Sequence, residues 1–255
     1  MKRLFAYIAL SIICTMGIPA IASAVGLEVA LGGWHQSPSG TLGLDITGAE
    51  DLLELENDLN YDEETCFIGR VKLDLPFVPN VYVMATPMEF EGDGSKDFNF
   101  GGETFQGSFS SKLTLDHYDV ALFYGIPLLE TATLDMLNIE LGINVRIFDF
   151  EARIAGEDPF GNPAEESESF TVPIPMVYAA IMFRPLEAIN FEVEGRGISF
   201  GDDKSFSLIG RVRWNTFGPL FITGGYRYDD YDIDEEGLVV EADFSGPFAE
   251  AGFSF

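Results

Sequence analysis

Alternation of apolar and polar residues recurs along most of this 255-residue chain. Between Leu137 and Ile147, every odd position holds Leu, Ile or Val, and the even positions hold Asn, Glu, Gly and Arg. Residues 67–75, 189–197 and 206–214 follow the same pattern. Because successive side chains of a β-strand point to opposite faces, this pattern predicts strands with one apolar and one polar face. We therefore expect an all-β fold.

Ten such segments follow residue 24. They cover approximately residues 25–36, 65–75, 80–91, 103–124, 136–155, 168–184, 188–200, 204–216, 220–233 and 238–255. Several exceed the ~5–6 residues of a typical soluble strand. They match the ~9–11 residues that a transmembrane strand needs.

The connections between these segments alternate in character. Short, mostly proline-bearing turns lie at 76–80, 126–135, 184–188 and 216–219. Longer or acidic loops lie at 37–64, 92–102, 156–167, 201–203 and 229–237. This order is typical of an up-and-down barrel with both termini at the end that carries the short turns, which requires an even number of strands.

The alternation changes phase at two places. In the fourth segment, apolar residues hold odd positions up to Leu115 and even positions from Tyr118 onward. A second change lies near Gly246 and Pro247. We interpret the first, near Asp116 and His117, as a β-bulge or a break in the strand. A break at the second place would change the strand number to eight or twelve.

The first 24 residues differ in composition from the rest. A basic start at residues 2–3 precedes an almost wholly apolar run over residues 4–21, and Ala22-Ser23-Ala24 supplies a cleavage site of small residues. This arrangement is typical of a secretory signal peptide, and an uncleaved anchor is the alternative. We predict a signal peptide over residues 1–24, cleaved after Ala24, and one barrel domain over residues 25–255.

The net charge excludes one class of function. The chain has 42 acidic and 14 basic residues, a formal charge of -28, which becomes -30 once the predicted cleavage removes two basic residues. A protein this negative repels nucleic-acid phosphates, so nucleic-acid binding is excluded. Cleavage also leaves Cys66 as the single cysteine, so no internal disulfide is expected.

Aromatic residues and the C-terminus favour a membrane barrel over a soluble β-sandwich. Aromatic residues recur near segment ends, as in the girdles at the two interfaces of a bilayer. They are Trp34, Tyr82, Phe90, Phe123, Tyr124, Phe148, Phe150, Trp214, Phe217, Phe221, Tyr226 and Tyr228. The chain ends in an alternating strand with Phe253 and Phe255, which resembles the C-terminal assembly signal of bacterial outer-membrane barrels. The predicted fold is a single transmembrane antiparallel barrel in the cell outer membrane.

A family resemblance begins at the start of the predicted mature chain. Gly32-Gly33-Trp34, then Ser37-Pro38-Ser39-Gly40, and Phe77-Val78-Pro79-Asn80-Val81 in the first short turn resemble the small Gly-Gly type of Gram-negative outer-membrane barrel. The resemblance extends over the whole mature chain. It implies the fold and the outer-membrane location. That family has no established activity, so the resemblance implies no catalytic residues.

Basic residues fall mainly on the face that a barrel would turn inward. The predicted charge network of the lumen consists of Arg70, Lys72, Asp74, Lys112, Glu140, Arg146, Glu192, Glu194, Arg196, Arg211, Arg213 and Arg227, with Glu28 facing them. Eight basic and five acidic groups leave a positive excess. In a narrow barrel such groups pair and fill the interior, because buried charges demand partners. An anion-attracting passage or a ligand site in the lumen is the alternative.

Acidic residues crowd two predicted loops, with nine in residues 45–64 and six in residues 229–237. A solvated, repulsive surface is the plain interpretation. Divalent cations that bridge to phosphates of the outer leaflet are the alternative. Asp230, Asp232, Asp234 and Glu241 have the spacing of an EF-hand, but Glu235 stands where that loop needs Gly. We therefore expect no EF-hand.

Catalysis is weakly indicated. His35 lies close to Ser37 and Ser39, which keeps a lipid hydrolase at the barrel rim as an alternative. Neither histidine sits in a recognisable motif, and we predict no enzyme, metal site or cofactor. The expected role is structural or that of a narrow passage, and a soluble periplasmic ligand-binding β-protein is the other alternative. Expected partners are outer-membrane lipids including lipopolysaccharide, the barrel-assembly machinery and periplasmic chaperones.

Overall fold

The computed structural model describes residues 25–44, 51–76, 78–201, 203–235 and 238–255. The predicted signal peptide lies outside these ranges. Within them the strands are β1 (Gly26–Leu44), β2 (Leu53–Glu54), β3 (Glu64–Asp74), β4 (Asn80–Thr86), β5 (Glu89–Ser95), β6 (Phe98–Phe100), β7 (Glu103–Phe105), β8 (Ser108–Gly125), β9 (Leu137–Glu157), β10 (Pro163–Leu186), β11 (Ile189–Phe200), β12 (Asp203–Asn215), β13 (Leu220–Glu235) and β14 (Leu238–Ser254). A short helix, α1 (Leu129–Ala132), lies between β8 and β9.

The described chain closes into an antiparallel barrel with ten wall positions. From β8 to β14 each strand pairs with the next, and β14 returns to pair with β1. On the other side, β1 pairs with β3, and β3 pairs with β4. Strands β4 and β5 share one wall position, because both pair with β8 in a continuous register. Closure gives every wall strand a hydrogen-bonded neighbour on both sides over part of its length, as a barrel that crosses a bilayer requires. The predicted ten-stranded architecture is confirmed.

The two ends of the barrel differ. One end carries the connections at 75–79, 126–136, 187–188 and 216–219 and both ends of the described chain, and we call it the turn end. There the backbone N–H of Leu27 donates to Phe255 O at 3.0 Å, and that of Phe255 donates to Leu27 O at 2.8 Å. The described parts of the remaining connections lie at the opposite, loop end. No helix within the described ranges is long and apolar enough to span a bilayer.

Strands reach further toward the loop end than the alternation predicted. β1 continues to Leu44, β10 begins at Pro163, and β13 extends to Glu235. Most of the acidic segment predicted as a loop at 229–237 is therefore strand.

The predicted bulge near Asp116 and His117 is wrong. The register between β8 and β9 runs unbroken from Ser110↔Ala155 to Gly125↔Glu140. The odd positions of β8 point inward along its whole length, but the interior is apolar around Leu115 and charged around Asp119. The apolar residues change phase because the barrel contents change along the axis. The register of β14 is likewise continuous past Gly246 and Pro247.

An apolar band surrounds the outside of the barrel. On β9, Leu141 and Ile143 are exposed, whereas Asn144 points inward and is buried. The band includes Val83, Tyr118, Val120, Leu122, Tyr124, Leu141, Ile143, Val145, Ile147, Val177, Ile181, Phe191, Val193, Leu208, Val212, Trp214, Ile222 and Tyr226, all of them exposed. An exposed apolar surface of this extent fits contact with lipid.

Many of the aromatic residues assigned to girdles lie inside the barrel instead. Seven of the twelve are buried: Trp34, Tyr82, Phe90, Phe123, Phe148, Phe150 and Phe221. Tyr124, Trp214, Phe217 and Tyr226 are exposed. A barrel of this width is filled by side chains, so large rings serve its interior as well as its lipid interfaces.

Candidate functional site

Strand alternation places a row of charged side chains along the inside of the barrel. On β11, Glu192, Glu194 and Arg196 point inward, and on β12 Arg211 and Arg213 do so. Arg196, Arg211 and Glu194 are almost completely buried. A buried charge requires a partner, so the pairing of these groups decides what the interior can do.

Nearest the turn end, two acidic groups hold two arginines. Arg70 Nη1 lies 2.5 Å from Glu28 Oε1, and Arg70 Nε lies 3.0 Å from Glu250 Oε2. Arg213 also pairs with Glu28, and its guanidinium lies 3.9 Å from the ring centroid of Phe221. This cluster joins β1, β3, β12 and β14 across the point where the barrel closes.

A second cluster begins at Lys72. Its Nζ donates to both carboxylate oxygens of Glu140 at 2.8 Å, and Tyr178 Oη donates to the same carboxylate at 3.1 Å. Nζ also lies 4.8 Å from the ring centroid of Phe123. Such a contact adds cation–π attraction to the ion pair.

The middle of the barrel holds alternating charges. Arg211 Nη1 lies 2.7 Å from both Glu192 and Glu194, and Glu194 lies 2.5 Å from Arg196 Nη2. The guanidinium of Arg196 also lies 4.9 Å from the ring centroid of Tyr82. The contact of Arg196 with Tyr82 links β11 to β4, on the opposite side of the barrel.

Toward the loop end, Asp119 is the central acceptor. It accepts from Arg146 Nε at 3.0 Å and Nη2 at 2.9 Å, and from Asn144 Nδ2 at 2.7 Å. Arg196 Nη1 lies 3.5 Å away on the other side. Arg146 in turn donates to Tyr231 Oη at 2.8 Å. Asp119 thus compensates the buried guanidinium of Arg146 and, together with Glu194, that of Arg196.

The last charged cluster surrounds Arg227. Its guanidinium contacts Asp229 at 2.7 Å, Thr86 at 2.9 Å and His117 Nε2 at 2.9 Å, and lies 4.5 Å from the ring centroid of Trp34. His117 Nδ1 lies 3.1 Å from the carbonyl oxygen of Leu115. Nδ1–H can donate to that carbonyl, which leaves Nε2 to accept from the arginine and keeps the imidazole neutral.

Ten of the twelve side chains predicted for the charge network meet inside the barrel. Lys112 does not, because it lies on the outward face of β8 and pairs with Glu89 at 2.7 Å and Glu91 at 3.2 Å. Asp74 lies exposed at the mouth of the turn end.

Three inward acids, Asp119, Glu250 and Asp229, are absent from the predicted network, and Asp229 falls in a predicted loop. Extending the inward phase of β8, β13 and β14 past the places where the apolar pattern changes would have found them. Among the described residues, seven basic and seven acidic groups now pair in the interior. The expected positive excess is therefore wrong.

An apolar layer fills the interior between the charged clusters and the loop end. Phe148 and Tyr231 have ring centroids 5.1 Å apart, and Phe90 and Phe244 are 5.4 Å apart. The chain between β1 and β3 adds buried side chains to this layer, namely Leu53, Leu55, Leu59 and Tyr61. The layer covers the charge network on the side of the loop end.

A cavity of about 1020 Å³ opens at the turn end. Glu28, Arg70, Lys72 and Arg213 line its inner part, and Asp74 stands at its mouth. The charge network closes the inner end of this cavity, so the cavity is a vestibule that opens at the turn end of the barrel.

Known proteins resemble this chain in fold and not in sequence. Scans against protein-family models and against curated proteins give no match. The outer membrane protease OmpT from Escherichia coli superposes with a TM-score of 0.51 at 9% sequence identity, over 94% of this chain and 100% of OmpT. The fold is that of an outer-membrane β-barrel.

Two further solved structures match with lower TM-scores. The translocator domain of the autotransporter NalP from Neisseria meningitidis gives a TM-score of 0.44 at 11% identity, over 100% of this chain and 98% of that domain. Ail of Yersinia pestis gives 0.34 at 11% identity, over 91% of this chain and 99% of Ail. The similarity reaches the outer-membrane barrel fold and no particular family within it.

The rim residues do not form a Ser–His pair. His35 lies 3.0 Å from Thr65 Oγ1 and 3.1 Å from Glu63, while Ser37 Oγ donates to Glu63 at 2.9 Å. These hydrogen bonds from Ser37 and His35 lower the pKa of Glu63. The Ser37 hydroxyl thus donates to the Glu63 carboxylate, and not to the His35 imidazole that would have to activate it.

The acidic residues of the predicted last loop are divided between two environments. Asp229 is buried beside Arg227, whereas Asp230 pairs with Lys204 on the next strand. Within the described ranges, no group of three or more His, Cys, Asp or Glu side chains is arranged to hold a metal ion.

Proposed function

We propose that this chain is a closed, non-conducting barrel with a structural role in the outer membrane of a Gram-negative bacterium. The observation that carries the proposal is the filled interior. Seven ion-paired basic groups and the aromatic layer beyond them occupy the space through which a solute would have to pass. A narrow-passage role would require these pairs to separate, and separating buried ion pairs is costly.

The proposed location rests on several features together. The apolar band is exposed on the outside of the barrel, and Phe253 and Phe255 lie exposed at the C-terminal end. The signal-like residues 1–24 provide for export. On this proposal the turn end faces the periplasm, the loop end faces outward, and lipopolysaccharide and the barrel-assembly machinery are partners.

Membership of the small Gly-Gly barrel type is part of the same proposal. The Gly-Gly-Trp segment lies in β1, where Trp34 points inward, is fully buried and donates from Nε1 to Gly246 O at 3.2 Å. A Cβ at Gly32 would lie 2.1 Å from Ala249 O, so this glycine allows close approach of β14. We propose no enzymatic activity and no cofactor.

Fractionation tests the location. In a Gram-negative host the full chain should partition with the outer membrane, require detergent for extraction, and migrate differently on gels before and after heating. N-terminal sequencing should give Val25 as the first residue. A chain with residues 1–24 deleted is the matched control and should stay in the cytoplasm. Recovery of the full chain in the detergent-free periplasmic fraction would contradict the proposal and favour a soluble β-protein.

A further inference from the structure

One side of β10 is unpaired near the loop end. β9 pairs with β10 from Pro163 to Phe183, but the ladder between β10 and β11 begins only at Val177. In the described part of the chain, residues 163–176 therefore form a β-ladder on one side only, with β9. The β9–β10 hairpin projects beyond the loop ends of β11 and β12 and carries an open strand edge.

Prolines show which residues present their backbone to this edge. In an antiparallel pair, the N–H and C=O groups of alternate residues point to opposite sides of the strand. Pro163, Pro173 and Pro175 are all odd-numbered, and a strand tolerates proline where the missing N–H would face away from its partner. The backbone groups of the odd residues therefore face the open edge. Between Pro163 and Pro173 these are Glu165, Ser167, Ser169 and Thr171, all exposed.

The inward face of the same segment has a definite chemical pattern. Glu166 and Glu168 come first, and neither forms a salt bridge within the described residues. Phe170 and Val172 follow; Phe170 stacks on Phe150 with centroids 4.8 Å apart, and Val172 is 37% exposed. A strand laid along this edge would meet two carboxylates and then two apolar side chains.

The tip of the hairpin adds a second exposed apolar group. Phe160 is 89% exposed, three residues before β10 begins. Its backbone N–H and that of Asn162 donate to Asp158 Oδ1 at 2.8 Å, so the turn holds a defined conformation. The hydrogen bonds from Asn162 and Phe160 lower the pKa of Asp158. The tip therefore presents an exposed aromatic side chain on an ordered turn beside an acidic edge.

We propose that the edge of β10 from Glu165 to Thr171 receives an extended, basic segment of a partner protein by β-strand addition. Strand addition takes its affinity from main-chain hydrogen bonds and its specificity from alternate side chains. The pattern on β10 selects basic residues opposite Glu166 and Glu168 and apolar residues opposite Phe170 and Val172. This surface goes beyond the structural role proposed above.

Charge argues against a second copy of the chain as the occupant. Two such edges paired together would bring the carboxylates of Glu166 and Glu168 close to their counterparts, and like charges on neighbouring strands are destabilising. The whole chain is also strongly acidic, with a formal charge of -28. A basic segment removes both penalties.

Titration with a designed peptide tests the proposal. The probe is acetyl-Ile-Thr-Val-Thr-Lys-Thr-Lys-amide, which in antiparallel alignment sets its apolar residues opposite Val172 and Phe170. Isothermal titration calorimetry on the full barrel in detergent should detect binding that weakens with salt. Two further peptides, each N-methylated on every second amide, separate strand addition from charge attraction. One lacks the N–H groups that would face β10, and the other lacks the N–H groups that would point away from it. The peptide methylated on the amides that face β10 should lose binding, and the other peptide should keep it.

A variant of the edge provides the matching test on the protein. Ser167→Pro removes the central edge-facing N–H and should lower affinity by about tenfold or more, whereas Ser167→Thr should leave it unchanged. Heat-dependent gel mobility checks that both variants fold. The proposal is overturned by no binding of the unmethylated peptide, or by equal binding of both methylated peptides. Dimerisation of the chain that Ser167→Pro abolishes would make a second copy the occupant and would also overturn it.

Discussion

Replacing Asp119 by leucine should lower the free energy of unfolding by about 3–5 kcal/mol, because removing one partner strands buried charges. Asp119 is 1% exposed and is the acceptor for Arg146, with Arg196 3.5 Å away. Leucine is similar in size but leaves both guanidinium groups undercompensated. Urea unfolding of the refolded protein in lipid vesicles, followed by tryptophan fluorescence, measures the loss.

Two comparisons show whether this loss comes from buried pairing. Arg153 and Glu165 form a surface pair 2.8 Å apart, and both side chains are about half exposed. Arg153→Gln breaks this pair and should lower the free energy of unfolding by about 0–1 kcal/mol. The double variant Asp119→Leu/Arg146→Met should lose less than the sum of its single variants, because it removes both charges. Equal losses for Asp119→Leu and Arg153→Gln would contradict the assignment of a paired interior.

Placing arginine at Ile143 should cost ~2–4 kcal/mol of folding free energy, the penalty for a charge on the lipid face near mid-membrane. Ile143 is 63% exposed, and its register neighbours Leu122 and Val177 are also exposed and apolar. It lies near the middle of the outward apolar stretch of β9, from Leu137 to Ile147. Refolding into vesicles with a urea titration measures the change.

The same substitution outside the apolar band is the matched control. Ser169 faces outward on β10 near the loop end, with Glu151 as its register partner. Ser169→Arg should therefore leave the folding free energy within about 0.5 kcal/mol of the parent. If both arginine variants lose the same stability, the outward face at Ile143 does not contact lipid.

Alternation, together with the order of short turns and longer loops, predicted the ten wall strands, since side-chain direction is a local property of a strand. It located Leu141 and Asn144 on opposite faces, as the structure places them. It failed at Asp116 and His117 because it assumed that apolar residues always face the same way. Around Leu115 the apolar side chains of β8 face the packed interior, whereas around Val120 they face outward. The apolar pattern therefore changes phase although the strand is continuous.

Pairing inside the barrel could not be predicted in the same way. Arg70 and Glu250 are 180 residues apart, and Arg146 and Tyr231 are 85 apart. Their contact depends on the stagger of the strands around the barrel, which period-two alternation does not contain. The inward phase of the strands therefore predicted most of the charged side chains of the interior. The equal number of acidic and basic groups depends on Asp119, Asp229 and Glu250, which the structure adds.

Planar-bilayer recording of the purified barrel tests the closed interior most directly. Insertion is verified on the same preparation by heat-dependent gel mobility, and a porin run in parallel confirms that the bilayer reports open channels. Because the paired charges and the aromatic layer fill the interior, we expect conductance near zero and no discrete steps. Large, stable open-channel steps from the inserted protein would contradict the account.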